Sequence, residues 1–215
     1  MVYQIVSHGY FVISVIATDT FINGCLLHIY TQLLIIRKSI SLLSDSTFIP
    51  RDAIGKIIPL DTRLRKIIYH YAEVLDISND IRPILSLNCF MSSCVTIFGL
   101  CISLYGFIII EEKIRFLVPA FYVLLYTLRI FSSCFWAEKC KTACQKIENE
   151  IKSINWIPYN KKHKHALIML LRQVQKNIIF KIPIIGEVSM TLFDKIVNRA
   201  ISYFLILKSF HDAKK

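Results

Sequence analysis

From Pro83 to Ile110 the chain carries no charged side chain. A helix needs roughly 20 apolar residues to span a hydrocarbon core, so this run is long enough to cross a bilayer with some tilt. Gly9 to Ile36 is a second such run, with Asp19 and His28 as its ionisable groups. Phe116 to Ala137 is a third, interrupted by Arg129. Ile182 to Leu207 is a fourth and weaker one, because it carries Glu187, Asp194, Lys195 and Arg199. The pattern predicts an all-α polytopic membrane bundle with four transmembrane helices and a cytoplasmic helical base.

The net charge of +11 would suit a nucleic-acid partner in a soluble chain, but a hydrophobic fraction of 54% excludes soluble packing at this length. The charge is better read as topology, with no nucleic acid implied. Arg37 to Arg82 and Glu138 to Lys181 together hold eighteen Lys and Arg residues, against five in the segment before Arg37, the turn Glu111 to Arg115 and the tail after Leu207. Basic residues near span ends stay in the cytoplasm. The expected order is therefore a transmembrane helix at 1–36, cytoplasmic helices and a loop at 37–82, a span at 83–110, an extracellular turn at 111–115 and a span at 116–137. A cytoplasmic basic loop with an amphipathic helix follows at 138–181, then a span at 182–210 and an extracellular tail at 211–215.

A first span that starts outside must have had its amino end carried across. Met1 to Gly9 has no basic n-region, and no small-residue cleavage site follows the apolar run, so it does not read as a signal peptide. Either the first helix inserts amino-end-out, or the sequence is the carboxy-terminal part of a longer protein with an odd number of earlier spans. The topology rules favour the second.

Helical periodicity continues from Gln32 through Arg37 and Lys38 to Ile40, with no breaker before Pro50, so the first helix projects beyond the membrane. Ser44 to Pro59 reads as a loop. After it, Leu64, Ile67, Ile68, Tyr71, Val74 and Leu75 form one apolar stripe that leads towards Pro83. Leu167, Leu170, Leu171, Val174 and Ile178 repeat the design within Lys164 to Lys181. Such stripes are buried against one another or against a partner. Their apparent lack of cover within the chain predicts that the helices Leu60 to Ile77 and Lys164 to Lys181 form the main contact between subunits.

Other features point to packing more than to chemistry. Ser92, Ser93, Thr96, Gly99, Ser103 and Gly106 give the second span a face of small residues suited to close helix contact. Pro119 and Pro183 mark kinks or helix starts. The seven cysteines lie mostly in apolar spans. Cys140 and Cys144 share a helix face, which leaves a metal pair, a palmitoylation site or two reduced thiols open. Asp19, an acid inside a span, is either functional or a structural acid satisfied by Thr18, Thr20 or a neighbouring helix. No Gly-rich phosphate loop, nucleophile elbow or metal-ligand motif appears, so no enzyme, cofactor or metal is expected.

Three stretches carry a family resemblance: Asp19-Thr20-Phe21-Ile22 with His28 and Gln32-Leu33, Lys66-Ile67-Ile68-Tyr69-His70-Tyr71, and Ala200-Ile201-Ser202-Tyr203-Phe204-Leu205-Ile206-Leu207. In order and spacing the chain resembles the carboxy-terminal four helices of insect odorant receptors, seven-helix subunits of ligand-gated channels. Three missing helices would be the odd number that the charge pattern asks for. The Thr-Tyr-x5-Gln-Phe closing signature of the related gustatory receptors is absent, and Ser133-Cys134-Phe135-Trp136-Ala137 departs from the Tyr-Cys-x-x-Gly stretch of some relatives.

The resemblance implies a plasma-membrane receptor in olfactory sensory transduction. It would bind a small volatile odorant and gate a cation pore in a hetero-tetramer with a co-receptor subunit. The competing readings are a gustatory receptor, a polytopic transporter or membrane enzyme of another family, and a G-protein-coupled receptor. The last would need a cytoplasmic carboxy terminus. Tyr10, Ser14, Phe121, Tyr122 and Tyr126, with aromatic surface and a few hydroxyls, are the expected ligand-binding residues. The resemblance also puts the channel gate on the last helix, at Ile206 and Phe210 as an apolar constriction with Ser209 between them.

Overall fold

A computed structural model describes residues 2–44, 59–109, 117–157, 159–176, 178–182 and 186–212. Among them are five helices and one small hairpin: α1 (Val2–Ser44), α2 (Leu60–Ile109), α3 (Leu117–Ser153), α4 (Lys161–Gln175), β1 (Lys181–Ile182), β2 (Gly186–Glu187) and α5 (Met190–Asp212). Segments Ile13–Leu43, Leu60–Gly106 and Leu117–Ser153 are long and apolar enough to cross a membrane. The chain is thus a polytopic helical membrane protein. At 23 residues α5 is also long enough, but Asp194, Lys195 and Arg199 lie in its first half.

The three long helices extend past the apolar runs because nothing in the sequence stops them. Through α2 the helix absorbs Pro83, which has no N–H to donate to the preceding turn. Beyond Ala137, α3 continues into the basic segment as far as Ser153, supported on its surface by the Glu148–Lys152 pair at 2.7 Å. The fourth apolar run behaves differently. Lys181 and Ile182 pair antiparallel with Glu187 and Gly186, and the Val188 N–H donates to the Phe180 carbonyl at 2.8 Å. Gly186 has φ +114°, a backbone conformation open to glycine and strained for other residues. Helix α5 therefore starts at Met190 rather than at Ile182. The expected loop at Ser44 to Pro59 falls mostly outside the described residues, as do Pro183 and the extracellular turn.

The chain divides into two compact units. The first is Met1–Gly24, Pro83–Glu138 and Phe180–Lys215; the second is Cys25–Arg82 and Lys139–Ile179. In the first unit Asp19 meets Arg129 and Asn23 meets Ser132 and Ser133, so rising numbers on α1 accompany rising numbers on α3 and the two helices run parallel. Ser92 meets Arg129, Gly99 meets Tyr126 and Gly106 meets Pro119, so α2 runs antiparallel to α3. That alternation is what a chain crossing a bilayer back and forth requires.

The predicted small-residue face of α2 is buried in this unit, with Ser93 and Thr96 fully covered. On α5 the buried face is Leu192, Ile196 and Ala200, and no residue between Ile201 and Phe210 is buried. Elsewhere large apolar side chains point outward, among them Ile13, Phe98, Ile102, Leu117 and Leu128. Apolar patches of that extent are foreign to a water-exposed surface and suit lipid or further protein.

The second unit is knit by a different pattern. Leu26, Ile29, Leu33, Ile36, Ile40 and Leu43 of α1 are all buried, alternating three and four residues apart. Leu64, Ile67, Tyr71 and Val74 of α2 and Cys140, Cys144, Ile147, Ile151 and Ile154 follow the same alternation. A strict 3.5-residue repeat is the seam of a coiled-coil-like bundle. Arg37 pairs with Glu150 at 2.8 Å, His70 with Gln32 at 2.9 Å, and the Arg63 guanidinium donates to the Leu42 carbonyl at 2.9 Å. The same parallel and antiparallel senses result.

One expectation is corrected by this packing. Leu64, Ile67 and Tyr71, like Leu167, Leu170 and Val174 of α4, are at most 7% exposed within the chain itself. The amphipathic stripes cover one another, so Leu170 and Val174 are core residues rather than contacts between subunits. Cys140 and Cys144 are likewise fully buried, and the Cys140 thiol donates to the Leu26 carbonyl at 3.4 Å. Burial of that depth leaves neither thiol open to a palmitoyl chain.

Candidate functional site

The first unit contains a cavity of about 380 Å³, lined by Val15, Ile16, Asp19, Thr20, Asn23, Val95, Tyr122, Leu125, Tyr126, Leu128 and Arg129. Its residues come from three helices because the small face of α2 lets α3 approach. A Cβ placed on Gly99 would lie 2.5 Å from the Tyr126 ring, so the missing side chain is what admits that ring. Tyr126 in turn stacks on Tyr122, with centroids 6.3 Å apart and planes inclined by 27°.

A polar cluster closes one end of the cavity. Arg129 of α3 and Asp19 of α1 form an ion pair, with side chains 17% and 15% exposed. The Arg129 Nη2 also donates to Ser92 Oγ of α2 at 2.9 Å, so one guanidinium ties three helices together. One turn further along, Asn23 donates to Ser132 Oγ at 3.0 Å and accepts from the Ser133 hydroxyl at 3.3 Å. Two opposite charges held apart from water cost far less together than either does alone. Asp19 is therefore satisfied from a neighbouring helix, and it also lines the cavity.

Of the five residues expected to bind a ligand, Tyr122 and Tyr126 line this cavity. Phe121 stands edge-on to Tyr122 at 6.4 Å and lines a separate apolar depression of about 610 Å³ with Leu117, Val118, Ala120, Tyr122 and Leu124. Tyr10 is 76% exposed and Ser14 is exposed, and neither is part of the lining. Ile206, Ser209 and Phe210 lie on the exposed distal half of α5. Sequence reasoning missed Asn23, Ser92 and Arg129 as site residues. The signal was available: a lone acid in one apolar run and a lone Arg in another are each costly unless they meet.

Long apolar helices around a buried ion pair, with a cavity of about 380 Å³ beside it, define a polytopic helical membrane protein. The chain belongs to the 7tm odorant receptor family, whose sequence profile matches residues 1–201. It is 19% identical over 213 residues to odorant receptor Or1 of Anopheles gambiae, covering 90% of this chain and 51% of that protein. Over 88 residues it is 33% identical to odorant receptor 9a of Drosophila melanogaster, covering 41% of this chain and 22% of that one. Its fold is similar to the solved structure of the insect olfactory receptor OR5 from Machilis hrabei in complex with eugenol. The TM-score is 0.78 at 12% identity, over 97% of this chain and 52% of that one. The chain spans about half the length, or less, of the relatives it matches.

Proposed function

We propose that this chain forms part of an odorant receptor that binds a small volatile molecule among its membrane helices. The receptor then gates a cation pore together with a co-receptor subunit in the plasma membrane, serving olfactory sensory transduction. The observation that carries the reading is the cavity of about 380 Å³ in a member of the odorant receptor family, a volume within the range of small-ligand sites. A protein of similar fold, the insect olfactory receptor OR5 from Machilis hrabei, was solved in complex with eugenol.

In this reading Tyr122 and Tyr126 supply aromatic walls, and Tyr10, Ser14 and Phe121 contribute where helices outside this chain complete the pocket. Ile206, Ser209 and Phe210 form the gate on α5, which has no buried residue from Ile201 to Phe210 and suits a face that other subunits surround. The Asp19–Arg129 pair argues against a proton- or ion-coupled transporter, since each charge already has its partner.

The test is to express the complete receptor with its co-receptor and record currents evoked by a panel of volatiles. Tyr122→Ala and Tyr126→Ala should each reorder the panel at normal surface expression. Unchanged rank order in both variants would remove these residues from the site, and silence of the wild type towards every volatile would remove the function.

A further inference from the structure

Four helix ends meet at one end of the second unit. The Arg63 guanidinium donates to the Leu42 carbonyl at 2.9 Å, the Tyr159 hydroxyl donates to the Leu43 carbonyl at 3.2 Å, and Lys162 lies 3.4 Å from Asp61. The end of α1, the start of α2, the turn after α3 and the start of α4 are thereby held together, and their charges do not balance. Arg63, Arg65, Lys152, Lys161, Lys162 and Lys164 fall within the terminal six residues of these helices, against Asp61, Glu148 and Glu150.

The acids are already engaged. Asp61 faces Arg65 at 3.2 Å and His163 at 3.9 Å as well as Lys162, Glu148 pairs with Lys152, and Glu150 with Arg37. Lys161 and Lys164 have no carboxylate partner among the described residues. Helix α4 has no acid in its first turn, so the positive end of its dipole adds to the lysines. The sequence between Ser44 and Pro59 brings Asp45 and Asp52 together with Arg51 and Lys56, and therefore no net charge.

Topology does not call for this charge. Basic residues orient spans within about 15–20 residues of a span end, and Lys161, Lys162 and Lys164 stand farther than that from both Ala137 and Met190. Nor does the bilayer reach them. Asp61 to Arg82 of α2 carries charges throughout and is foreign to hydrocarbon, and along that helix Asp61 is about 33 Å from Pro83.

An apolar side chain stands beside the cations. In the turn between α3 and α4, Ile157 is 84% exposed. Its N–H is held by Asn155 Oδ1 at 3.2 Å, and the Tyr159 N–H donates to the Trp156 carbonyl at 3.4 Å. The turn therefore presents Ile157 outward, close to a tyrosine that is fixed to α1 and edge-on to His163. Lysines are well solvated where they are, whereas a bare isoleucine gains from being covered.

An inorganic polyanion would use the cations and leave Ile157 in water. An anionic lipid surface would use both, but the length of α2 keeps the chain's own bilayer away. We propose that this end of the second unit is a docking surface for an acidic segment of a soluble protein, one that carries an apolar side chain among its carboxylates. The carboxylates meet Lys161, Lys164 and Arg65, and the apolar side chain covers Ile157. With the basic segments in the cytoplasm, the partner is a cytoplasmic protein.

The experiment titrates the complete receptor, purified with its co-receptor, with two labelled peptides and reads fluorescence anisotropy. One is a run of glutamates interrupted by leucines; its twin has glycine in place of each leucine. The leucine peptide should bind roughly tenfold tighter than its twin, as expected for partial burial of a leucine side chain. Lys161→Glu combined with Lys164→Glu should weaken both roughly tenfold or more. Ile157→Ser should leave the twin unchanged and bring the leucine peptide down to it.

Equal affinity of the two peptides in the wild type, or a difference that survives Ile157→Ser, overturns the proposal, the surface then being a solvated basic one. Absence of binding overturns it as well. Displacement of the leucine peptide by phosphatidylserine vesicles would make the surface one for lipid and would also overturn it. If the double charge reversal fails to accumulate, the wild-type comparison and Ile157→Ser still decide.

Discussion

Gly99→Ala is the smallest change that should alter what the cavity admits. The added Cβ would lie 2.5, 2.6 and 2.9 Å from the Cζ, Cε2 and Cε1 atoms of Tyr126. Ordinary carbon contacts lie near 3.5 Å, so the ring must retreat by about 1 Å. Tyr126 lines the cavity and stacks on Tyr122, so the retreat takes space from the ligand. Overpacking costs about 1–3 kcal/mol, and replacing a mid-helix Gly by Ala returns about 1 kcal/mol. The two terms leave a net destabilisation of about 0–2 kcal/mol, small enough for the receptor to reach the surface.

The ligand feels the overpacking without the helix gain. A large ligand that fills the cavity should lose roughly fivefold to a hundredfold in potency, and a small one almost nothing. The assay is a set of dose-response curves over a homologous series at matched surface expression. Adding Tyr126→Leu to Gly99→Ala removes the clashing ring atoms and should restore the large ligands. Curves that match the wild type across the whole series would refute the argument. So would a uniform loss of surface protein, which would make the contact one of folding alone.

Three further outcomes are expected. An epitope placed after Lys215 should be labelled on intact cells, and labelling that needs permeabilisation would overturn the charge-based topology. Leu170→Asp puts a charge where the side chain is fully buried, at a cost on the order of 3 kcal/mol or more, so the receptor should fail to accumulate even without its co-receptor. Normal accumulation with lost co-purification would return Leu170 to a subunit interface. Ile206→Ser in the complete receptor should raise basal current or change ion selectivity; unchanged basal current, selectivity and block at normal surface expression would take α5 out of the pore.

The membrane class was legible because span length and charge asymmetry are local properties, readable without knowing what touches what. The extension of α1 was legible for the same reason, since no breaker intervenes between Gln32 and Ile40; that of α3 was not, because the basic segment after Ala137 was expected as a loop and is helix as far as Ser153. Partnerships were not. Arg129 reads in isolation as a blemish in an apolar run, and only three-dimensional proximity reveals it as the partner of Asp19 and Ser92. The stripe through Leu170 and Val174 announced burial without saying what covers it, and the cover proved to lie in the same chain. The hairpin before α5 escaped notice because Lys181 to Glu187 reads as a continuation of an apolar run until the backbone at Gly186 is seen.

The separation of Asp19 and Arg129 also sets an order of events in biosynthesis. The two residues are 110 positions apart, and the ribosome adds about 5–20 residues per second. Asp19 therefore enters the bilayer roughly 5–20 s before its partner has been made. During that interval the acid carries an insertion penalty of about 2.5–3.5 kcal/mol, which the apolar residues around it in α1 must offset. When the α3 segment arrives, its arginine meets an acid already waiting, so the second insertion is easier than the first. A nascent chain stalled anywhere before Arg129 lacks the arginine that pairs with Asp19 in the finished fold.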